Sequence, residues 1–296
     1  MVEQVGAAFV IGILSGCLYA VVAIGLSLIF GIIRVINFAH GTIAILFMYL
    51  GFFLWRLWGI DPYLSIIIVV PVAFAFGYGV QHILIRPMFL REKAYVVEPL
   101  GVLLLLAGLD MALTNGILLT AGPYNLAVTD SYISGVIRWG GFLAISVPRL
   151  VLALVAVGLC FGLYWLLNRT ELGNKIRAVG QNREAAAICG INVHHIYALA
   201  FGLGCAVTAF GGCVMLPFYG IYPGMGMGLA IKAFIIVVLG GLGSVPGALL
   251  GGIIIGVVES VASQFMPGTM AVIISLVLFL LIILFRPRGL MGTIEV

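Results

Sequence analysis

Charged residues are scarce in this 296-residue sequence. They make up 8% of the chain, against 64% hydrophobic residues, and the mean hydropathy is +1.29. An ordinary soluble domain carries about 25% charged residues, and a water-exposed surface cannot be built from so few. The scarcity therefore excludes an ordinary soluble protein and indicates a chain whose surface faces lipid over most of its area.

Paired cysteines are also missing. The cysteines are odd in number, none stands in Cys-x-x-Cys spacing, and most lie within apolar runs. A disulfide framework or a zinc site is therefore disfavoured, and we interpret these residues as small buried hydrophobic side chains. The five are Cys17, Cys160, Cys189, Cys205 and Cys213.

Sequence motifs for catalysis are absent as well. The three lysines are Lys93, Lys175 and Lys232, and none ends a G-x-x-x-x-G-K-[ST] loop, so we do not expect this chain to hydrolyse ATP. No H-E-x-x-H or G-x-S-x-G sequence supports a membrane enzyme. The first residues lack a basic region, so we expect no removable signal peptide.

What the sequence does contain is a series of long apolar runs. A membrane-spanning helix needs about 20 such residues. We predict an all-α polytopic bundle of eight to ten transmembrane segments, forming a single transmembrane domain over 1–296. Pro246 separates the seventh and eighth runs, so 228–263 either crosses twice or re-enters. The predicted spans are 5–33, 39–58, 63–85, 96–121, 141–167, 196–218, 228–245, 247–263 and 268–285.

Basic residues predict the orientation of the chain. Cytoplasmic loops of membrane proteins carry an excess of Lys and Arg. Nine crossings with an external N-terminus place ten of the fourteen basic residues inside. Arg56, Arg138 and Arg149 then lie outside, and Lys232 lies within an apolar run. The ten inside are Arg34, Arg86, Arg91, Lys93, Arg169, Lys175, Arg177, Arg183, Arg286 and Arg288.

Glycine is abundant, with 40 residues, and several are spaced for helix contact. Glycine lets helix backbones approach closely in lipid, where packing drives their association. We interpret three small-x-x-x-small patterns as close helix packing, with no partner specified: Gly12-x-x-x-Gly16, Gly247-x-x-x-Gly251 and Gly252-x-x-x-Gly256.

The most informative polar segment is a loop at about 168–195. It contains Asn182-Arg183-Glu184-Ala185-Ala186-Ala187-Ile188-Cys189-Gly190, which predicts a short helix with both ends marked. Asn182 is a candidate N-cap, and the charge of Glu184 favours the first turn. Gly190 can take the left-handed conformation that ends a helix. From the residues alone, a helix lying on the membrane surface explains this segment as well.

The same loop resembles a known motif. Glu184-Ala185-Ala186, three residues and then Gly190 are similar to the cytoplasmic EAA-x-x-x-G loop of bacterial ABC-importer permeases. In that superfamily the loop forms the coupling helix that docks on the ATPase subunit. The resemblance implies an ATPase-coupling role for Asn182, Glu184, Ala185, Ala186 and Gly190.

Further segments resemble one family over about residues 10–292. Together they are similar to the permeases of high-affinity branched-chain amino acid ABC importers, and most like the paired permease that carries Asn-Phe-Ala-His-Gly. The segments are Gly25–Gly31, Ile36-Asn37-Phe38-Ala39-His40-Gly41, Gly190-Ile191-Asn192, Lys232–Ala248 and Arg286-Pro287-Arg288-Gly289-Leu290.

The resemblance implies a set of partners and a location. They are a second related permease, two ATPase subunits that bind ATP and Mg, and a periplasmic substrate-binding protein, with this chain holding no cofactor. The implied location is the bacterial inner membrane, and the implied cargo is leucine, isoleucine, valine or another apolar amino acid. Urea and short amides are the alternative cargo, and an ion-coupled secondary transporter is a less favoured alternative.

Two interrupted segments are candidates for the translocation path. Transporters place substrate sites where helices break near the midplane, and we expect the breaks at 37–41 and 240–244 to line the path. Asn37 and His40 capping helices near the cytoplasmic face, and Ser244 capping a helix, remain the alternatives. The candidate residues are Asn37, His40, Gly41, Lys232, Gly240, Gly241, Gly243 and Ser244.

Three ionisable residues lie within apolar runs. Lys232 either extends its stem to an interface or serves near the substrate entrance. Glu259 has no basic residue nearby in sequence, and Asp110 is solitary in its span, so no chain of acids and histidines supports proton coupling. We interpret both acids as hydrogen-bonded or interfacial.

Overall fold

Nearly all of the described chain is helical. The structure is a computed structural model that describes residues 2–91, 98–128, 135–139, 143–286 and 288–292. A π turn at Gln81–Ile85 joins α3 to α4, and strands β1 (Val136–Trp139) and β2 (Leu143–Ser146) pair antiparallel. The helices are α1 (Val2–Ile33), α2 (His40–Trp58), α3 (Pro62–Val80), α4 (Arg86–Arg91), α5 (Glu98–Ala121), α6 (Val147–Arg169), α7 (Glu171–Gln181), α8 (Arg183–Ile188), α9 (Val193–Met215), α10 (Met225–Gly240), α11 (Val245–Ala262) and α12 (Gly268–Phe285).

Eight helical runs in the described ranges are long and apolar enough to cross a membrane. They are α1, α2, α3 continued through α4, α5, α6, α9, α11 and α12. The 16-residue α10 is apolar but shorter. The predicted polytopic helical bundle of eight to ten segments is confirmed.

The ends of several predicted spans shift in the structure. The fifth span was expected from 141, but β2 occupies 143–146 and α6 begins only at Val147, with Pro148 in its first turn. The sixth was expected from 196, but the Asn192 side chain accepts from the backbone N–H of His195 and starts α9 at Val193. The basic position Lys93 and the side chains of Arg91 and Arg138 lie outside the described residues.

Two helices form the interior of the bundle. The most apolar stretches of α1 and α9 are each 83% buried, whereas those of α5 and α12 are 17% buried. A Cβ on Gly16 would meet the Gly252 carbonyl oxygen at 2.5 Å, and one on Gly12 would meet the Gly256 carbonyl oxygen at 2.9 Å. The two predicted small-residue patterns therefore pack on each other, joining α1 to α11 at backbone contact.

Four chain segments meet at one end of the bundle. The Arg34 guanidinium donates to the Gly180 carbonyl oxygen at 3.2 Å, which ties the end of α1 to α7. Gly31 touches Gly243 in the α10–α11 turn, and the Met291 N–H donates to the Gly240 carbonyl oxygen at 2.9 Å. We call this the α7 end; α7, α8 and the 288–292 segment carry several of the basic residues that were predicted to be cytoplasmic.

Candidate functional site

Residues 34–39 return the chain from the α7 end into the interior. Arg34 has φ +56°, the only positive value for a non-glycine residue among the described residues, and the backbone that follows is not helical. His40 then lies beside Val22, eleven residues before the end of α1 at Ile33. That distance is about 16 Å along the helix, so α2 begins deep within the bundle. The predicted break at 37–41 is confirmed in part, because the non-helical residues are 34–39 and His40 and Gly41 already belong to α2.

His40 is held by two neighbouring helices. Its Nε2 lies 2.9 Å from the Val22 carbonyl oxygen and 3.0 Å from Thr208 Oγ1, and the residue is fully buried. Because a carbonyl oxygen only accepts, Nε2 carries the proton. Neither His40 nor Asn37 caps α2 with its side chain, since the N-cap is Ala39. The capping alternative at the cytoplasmic face is therefore wrong, because the histidine lies too deep.

Asn37 has a buried amide that no described residue hydrogen-bonds. The residue is 2% exposed, and both polar atoms of its side chain lack a partner within the described ranges. Its backbone carbonyl accepts from the His40 N–H at 3.2 Å. Buried polar groups normally have a partner, so this amide and the unpartnered His40 Nδ1 both have hydrogen-bonding capacity to spare.

The start of α2 meets the first half of α10. A Cβ on Gly41 would overlap the Gly226 carbonyl oxygen, and it would lie 2.6 Å from the Ala230 backbone nitrogen. The next residue, Thr42, donates its hydroxyl to a carboxylate oxygen of Asp110 on α5. The interpretation of Asp110 as hydrogen-bonded is confirmed, and Gly41 is needed for the close approach of α2 and α10.

Lys232 and Glu259 form an ion pair between α10 and α11. The lysine Nζ lies 2.9 Å and 3.0 Å from the two carboxylate oxygens, and 4.2 Å from the centre of the Tyr19 ring. The interpretation of Glu259 as hydrogen-bonded is confirmed, and its partner lies 27 positions away in sequence. The extension of the lysine to an interface stays a prediction. Measured along α10 and α11 from Gly243 in the turn that joins them, Glu259 lies five positions farther away than Lys232. This offset is about 7 Å, and the lysine side chain spans it.

The 240–244 segment does not lie at the midplane. It is the α10–α11 turn at the α7 end, where Gly241 and Gly243 have φ of +108° and +81°. The Ser244 hydroxyl accepts from the Gly247 N–H at 3.1 Å and caps α11, as its capping alternative held. The turn packs on Gly31 and on the 288–292 segment. The expectation of a second midplane break here is wrong, because α10 continues to the end of the bundle.

A cleft of about 410 Å³ opens between this turn and α7. Its lining includes Leu28 and Gly31 of α1, Ser244 and Pro246 after the turn, and Gln181 of α7. The candidate residues Gly243 and Ser244 are thus close to the loop at 168–195 rather than to Asn37 and His40.

The loop at 168–195 contains a helix that the sequence reasoning missed. α7 begins at a Thr170 N-cap, whose hydroxyl accepts from the Gly173 N–H at 3.1 Å. Ile176 and Val179 of this helix are buried, each 2% exposed. Apolar residues at 172, 176 and 179 follow helical spacing, and that periodicity was the available signal.

The second helix of the loop has the predicted caps. The Asn182 side chain accepts from the N–H groups of Glu184 and Ala185, each at 3.0 Å. At the other end Gly190 has φ +81° and donates to the Ala187 carbonyl oxygen at 3.0 Å. The Ile191 N–H donates to the Ala186 carbonyl oxygen at 3.0 Å, which completes a Schellman motif. The predicted capped helix is confirmed.

The outer face of α8 is uncovered. Ala186 is buried toward the bundle, at 4% exposed, while Ile188 is 87% exposed. Ala185 and Ala187 are exposed beside it. We interpret this exposed face of a capped helix, with Ile188 on it, as a candidate docking surface.

The comparisons with known proteins agree with the sequence resemblance. The family model described as branched-chain amino acid transport system / permease component matches residues 8–284. The branched-chain amino acid permease BraD of Pseudomonas aeruginosa is 32% identical, covering 96% of this chain and 95% of that protein. The corresponding permease LivH of Escherichia coli is 30% identical, covering 96% and 94%.

A more distant relative belongs to another import system. The ribose import permease RbsC of Escherichia coli is 28% identical over 56% of this chain and 51% of that protein. No solved structure matches the chain. The family match over most of the length, together with eight membrane-spanning helices in the described residues, makes this chain a multi-pass membrane protein of the branched-chain amino acid transport permease family.

Proposed function

We propose that this chain is one of two related permeases in an ABC importer that moves leucine, isoleucine, valine or another apolar amino acid inward. The named relatives support this cargo, since BraD and LivH are high-affinity branched-chain amino acid permeases. The partners are a second permease, two ATPase subunits and a periplasmic binding protein. ATP and Mg bind to the ATPase subunits, and hydrolysis takes place there.

The observation that carries this proposal is the connection between α8 and the transmembrane helices. α8 follows α7 directly through Asn182, and α7 contacts the end of α1 through Gly180. A Cβ on Gly180 would lie 3.1 Å from the Gly31 carbonyl oxygen, and Gly31 in turn touches Gly243. The Gly180–Gly31 and Gly31–Gly243 contacts join backbone atoms without flexible side chains between them, so a displacement of α8 passes to α1 and to the α10–α11 turn.

The transport cycle follows from this connection. The ATPase dimer closes on ATP and moves α8, and α7 transmits the movement to α1 and the α10–α11 turn. The two permeases then alternate between outward and inward openings. The break at 37–41, with its spare Asn37 amide, and Lys232 line the path in this proposal. Gly240, Gly241, Gly243 and Ser244 lie at its inner end.

The test is ATP-dependent uptake of labelled leucine in proteoliposomes that contain the whole complex. Gly190→Pro should abolish uptake, because proline cannot adopt φ +81° and lacks the N–H that bonds Ala187. Gly158→Ala is the control, since nothing lies within 4 Å of a Cβ there. Uptake by this chain alone without ATP would contradict the proposal, whereas uptake of urea in place of leucine would keep the importer and change the cargo.

A second variant tests docking directly. Ile188→Asp places a charge on the exposed face of α8 without disturbing buried contacts. We expect loss of the ATPase subunits on co-purification, with the two permeases still together. Ile188→Met keeps an apolar side chain of similar size and should retain the ATPase. Retention of the ATPase by the aspartate variant would show that α8 is not the docking surface.

A further inference from the structure

Side chains of two neighbouring helices contact Lys232. The lysine pairs with Glu259 of α11 and lies over the ring of Tyr19 of α1. The group therefore holds one cation, one anion and one phenol.

The group lies far from the α7 end. Tyr19 precedes the end of α1 by 14 residues, and Glu259 follows the start of α11 by 14 residues. Each distance is about 21 Å along its helix, beyond the middle of a hydrocarbon layer of about 30 Å. Arg149, in the first turn of α6, lies 5.8 Å from the ring centre of Phe218 and marks the opposite end. The ion pair is thus within membrane depth, in the half away from α7.

Charges at this depth are not required for packing. The α1–α11 contact is already made by glycine backbones, and a buried ion pair is no more stabilising than apolar residues of the same volume. Ionisable residues within membrane helices face the bundle interior or a water-filled path and mark routes for substrates or ions. The Lys232 and Glu259 side chains are 23% and 13% exposed, and Glu259 Oε1 is itself buried.

The face of α10 beside the lysine is not covered by the described part of the chain. Gly228 lies one helical turn before Lys232, and nothing lies within 4 Å of the position its Cβ would take. Met227 and Ile231 flank it and are 52% and 49% exposed. Two exposed apolar side chains therefore lie next to the ion pair, so a molecule with one apolar branch and two opposite charges can contact both.

We propose that Lys232 and Glu259 bind the two charged ends of an α-amino acid during its passage. Lys232 binds the α-carboxylate, and Glu259 binds the α-ammonium. The Tyr19 ring lies over the ammonium group of Lys232. In the empty protein the two residues neutralise each other. A zwitterion replaces one ion pair by two and leaves the net charge of the site unchanged, so neither residue is left as an isolated charge.

The inference rests on the proposed function, because it assigns the site to the amino acid cargo. It also accounts for selection of the cargo. An uncharged amide such as urea has no charged groups to pair with Lys232 and Glu259 when these two separate. A molecule with only one charge would leave either Lys232 or Glu259 unpaired, which is costly at this depth.

The first experiment removes both charges together. In Lys232→Met/Glu259→Leu neither partner remains unpaired, so the complex should assemble and its ATPase activity should continue. Leucine uptake should fall by at least about tenfold, since charged hydrogen bonds contribute about 1.5–3 kcal/mol. Ser275→Ala, which removes a buried hydroxyl bonded only to its own helix, is the control. Unchanged uptake by the double variant would overturn the inference and leave the importer intact.

A second measurement needs no variant. The purified wild-type permease pair is heated in detergent with leucine, with leucinamide, which lacks the carboxylate, or with isocaproate, which lacks the ammonium. Leucine alone should raise the unfolding temperature. Equal stabilisation by all three, or by none, would overturn the inference. Failure of the wild-type complex to transport leucine with ATP would instead contradict the proposed function.

Discussion

α1 and α12 are both apolar enough to span a membrane, yet they occupy opposite environments. α12 is the more apolar of the two. Its most apolar stretch is 17% buried within the chain, whereas that of α1 is 83% buried. Hydropathy therefore reports which segments enter lipid, and it does not report which of them lie in the interior.

Glycine contacts separate the two environments. On α1, a Cβ at Gly12, Gly16 or Gly25 would press against the backbone of a neighbouring helix. Gly158 and Gly162 of the outer helix α6 have the same spacing as Gly12 and Gly16, but nothing lies within 4 Å of their Cβ positions. The spacing alone does not make an interior helix; an interior helix also needs a partner with its own small residues.

The largest effect is expected where both partners are glycine. Gly256→Val would drive its side chain into the Gly12 carbonyl oxygen, 2.5 Å from the Cβ position, and into the adjacent backbone of Gly16. Because backbone cannot move aside easily, we expect the free energy of unfolding to fall by about 3 kcal/mol or more. Thermal unfolding of the purified chain in detergent measures it. Gly116→Val on α5, where nothing lies within 4 Å, is the matched control; equal losses would erase the contrast.

A smaller effect is expected for a polar contact between interior elements. Thr208→Val removes the hydroxyl that lies 3.0 Å from His40 Nε2 and leaves the volume almost unchanged. We expect the free energy of unfolding to fall by about 1–2 kcal/mol, since the buried His40 Nε2 loses one of its partners. Thr120→Val is the control because its hydroxyl bonds only the backbone of its own helix on the outer α5. Similar unfolding temperatures for both variants would show that burial of the threonine does not matter.

The smallest effect is expected on the outer face of α6, where the substitution should stabilise the protein instead of destabilising it. Gly158→Ala adds a methyl group into open space and raises helix propensity. Stability of the isolated chain should rise by up to about 1 kcal/mol, as measured by the same thermal unfolding. A loss would mean that this glycine already packs against something, and that α6 belongs with α1 rather than with α12.

The sequence predicts the parts of this molecule that depend on neighbouring residues. The spans follow from apolar runs, and the caps of α8 follow from Asn182 and Gly190. The pairing of Lys232 with Glu259 was not predictable in this way. Two helices must first be set side by side with a five-residue offset before the charges meet, and one sequence does not state that offset.

The site shows the same division. The break at 37–41 was expected from its residues, but its depth depends on where Val22 and Thr208 stand on two other helices. The 240–244 segment resembles a break by composition, yet it lies at the α7 end because α10 runs its full length. α7 is an exception, since the spacing of Leu172, Ile176 and Val179 predicts it without tertiary information.

The deep start of α2 has a consequence for the order in which the protein is assembled. His40 and Thr208 are separated by 168 positions along the chain, so the histidine is synthesised long before its partner helix exists. Contacts of such high sequence separation form late in folding. Until α9 inserts, the non-helical backbone at 34–39 lacks part of its surroundings, and lipid cannot satisfy it. α1 and α2 therefore reach their final arrangement only after α9 has inserted, because α9 supplies Thr208 beside His40.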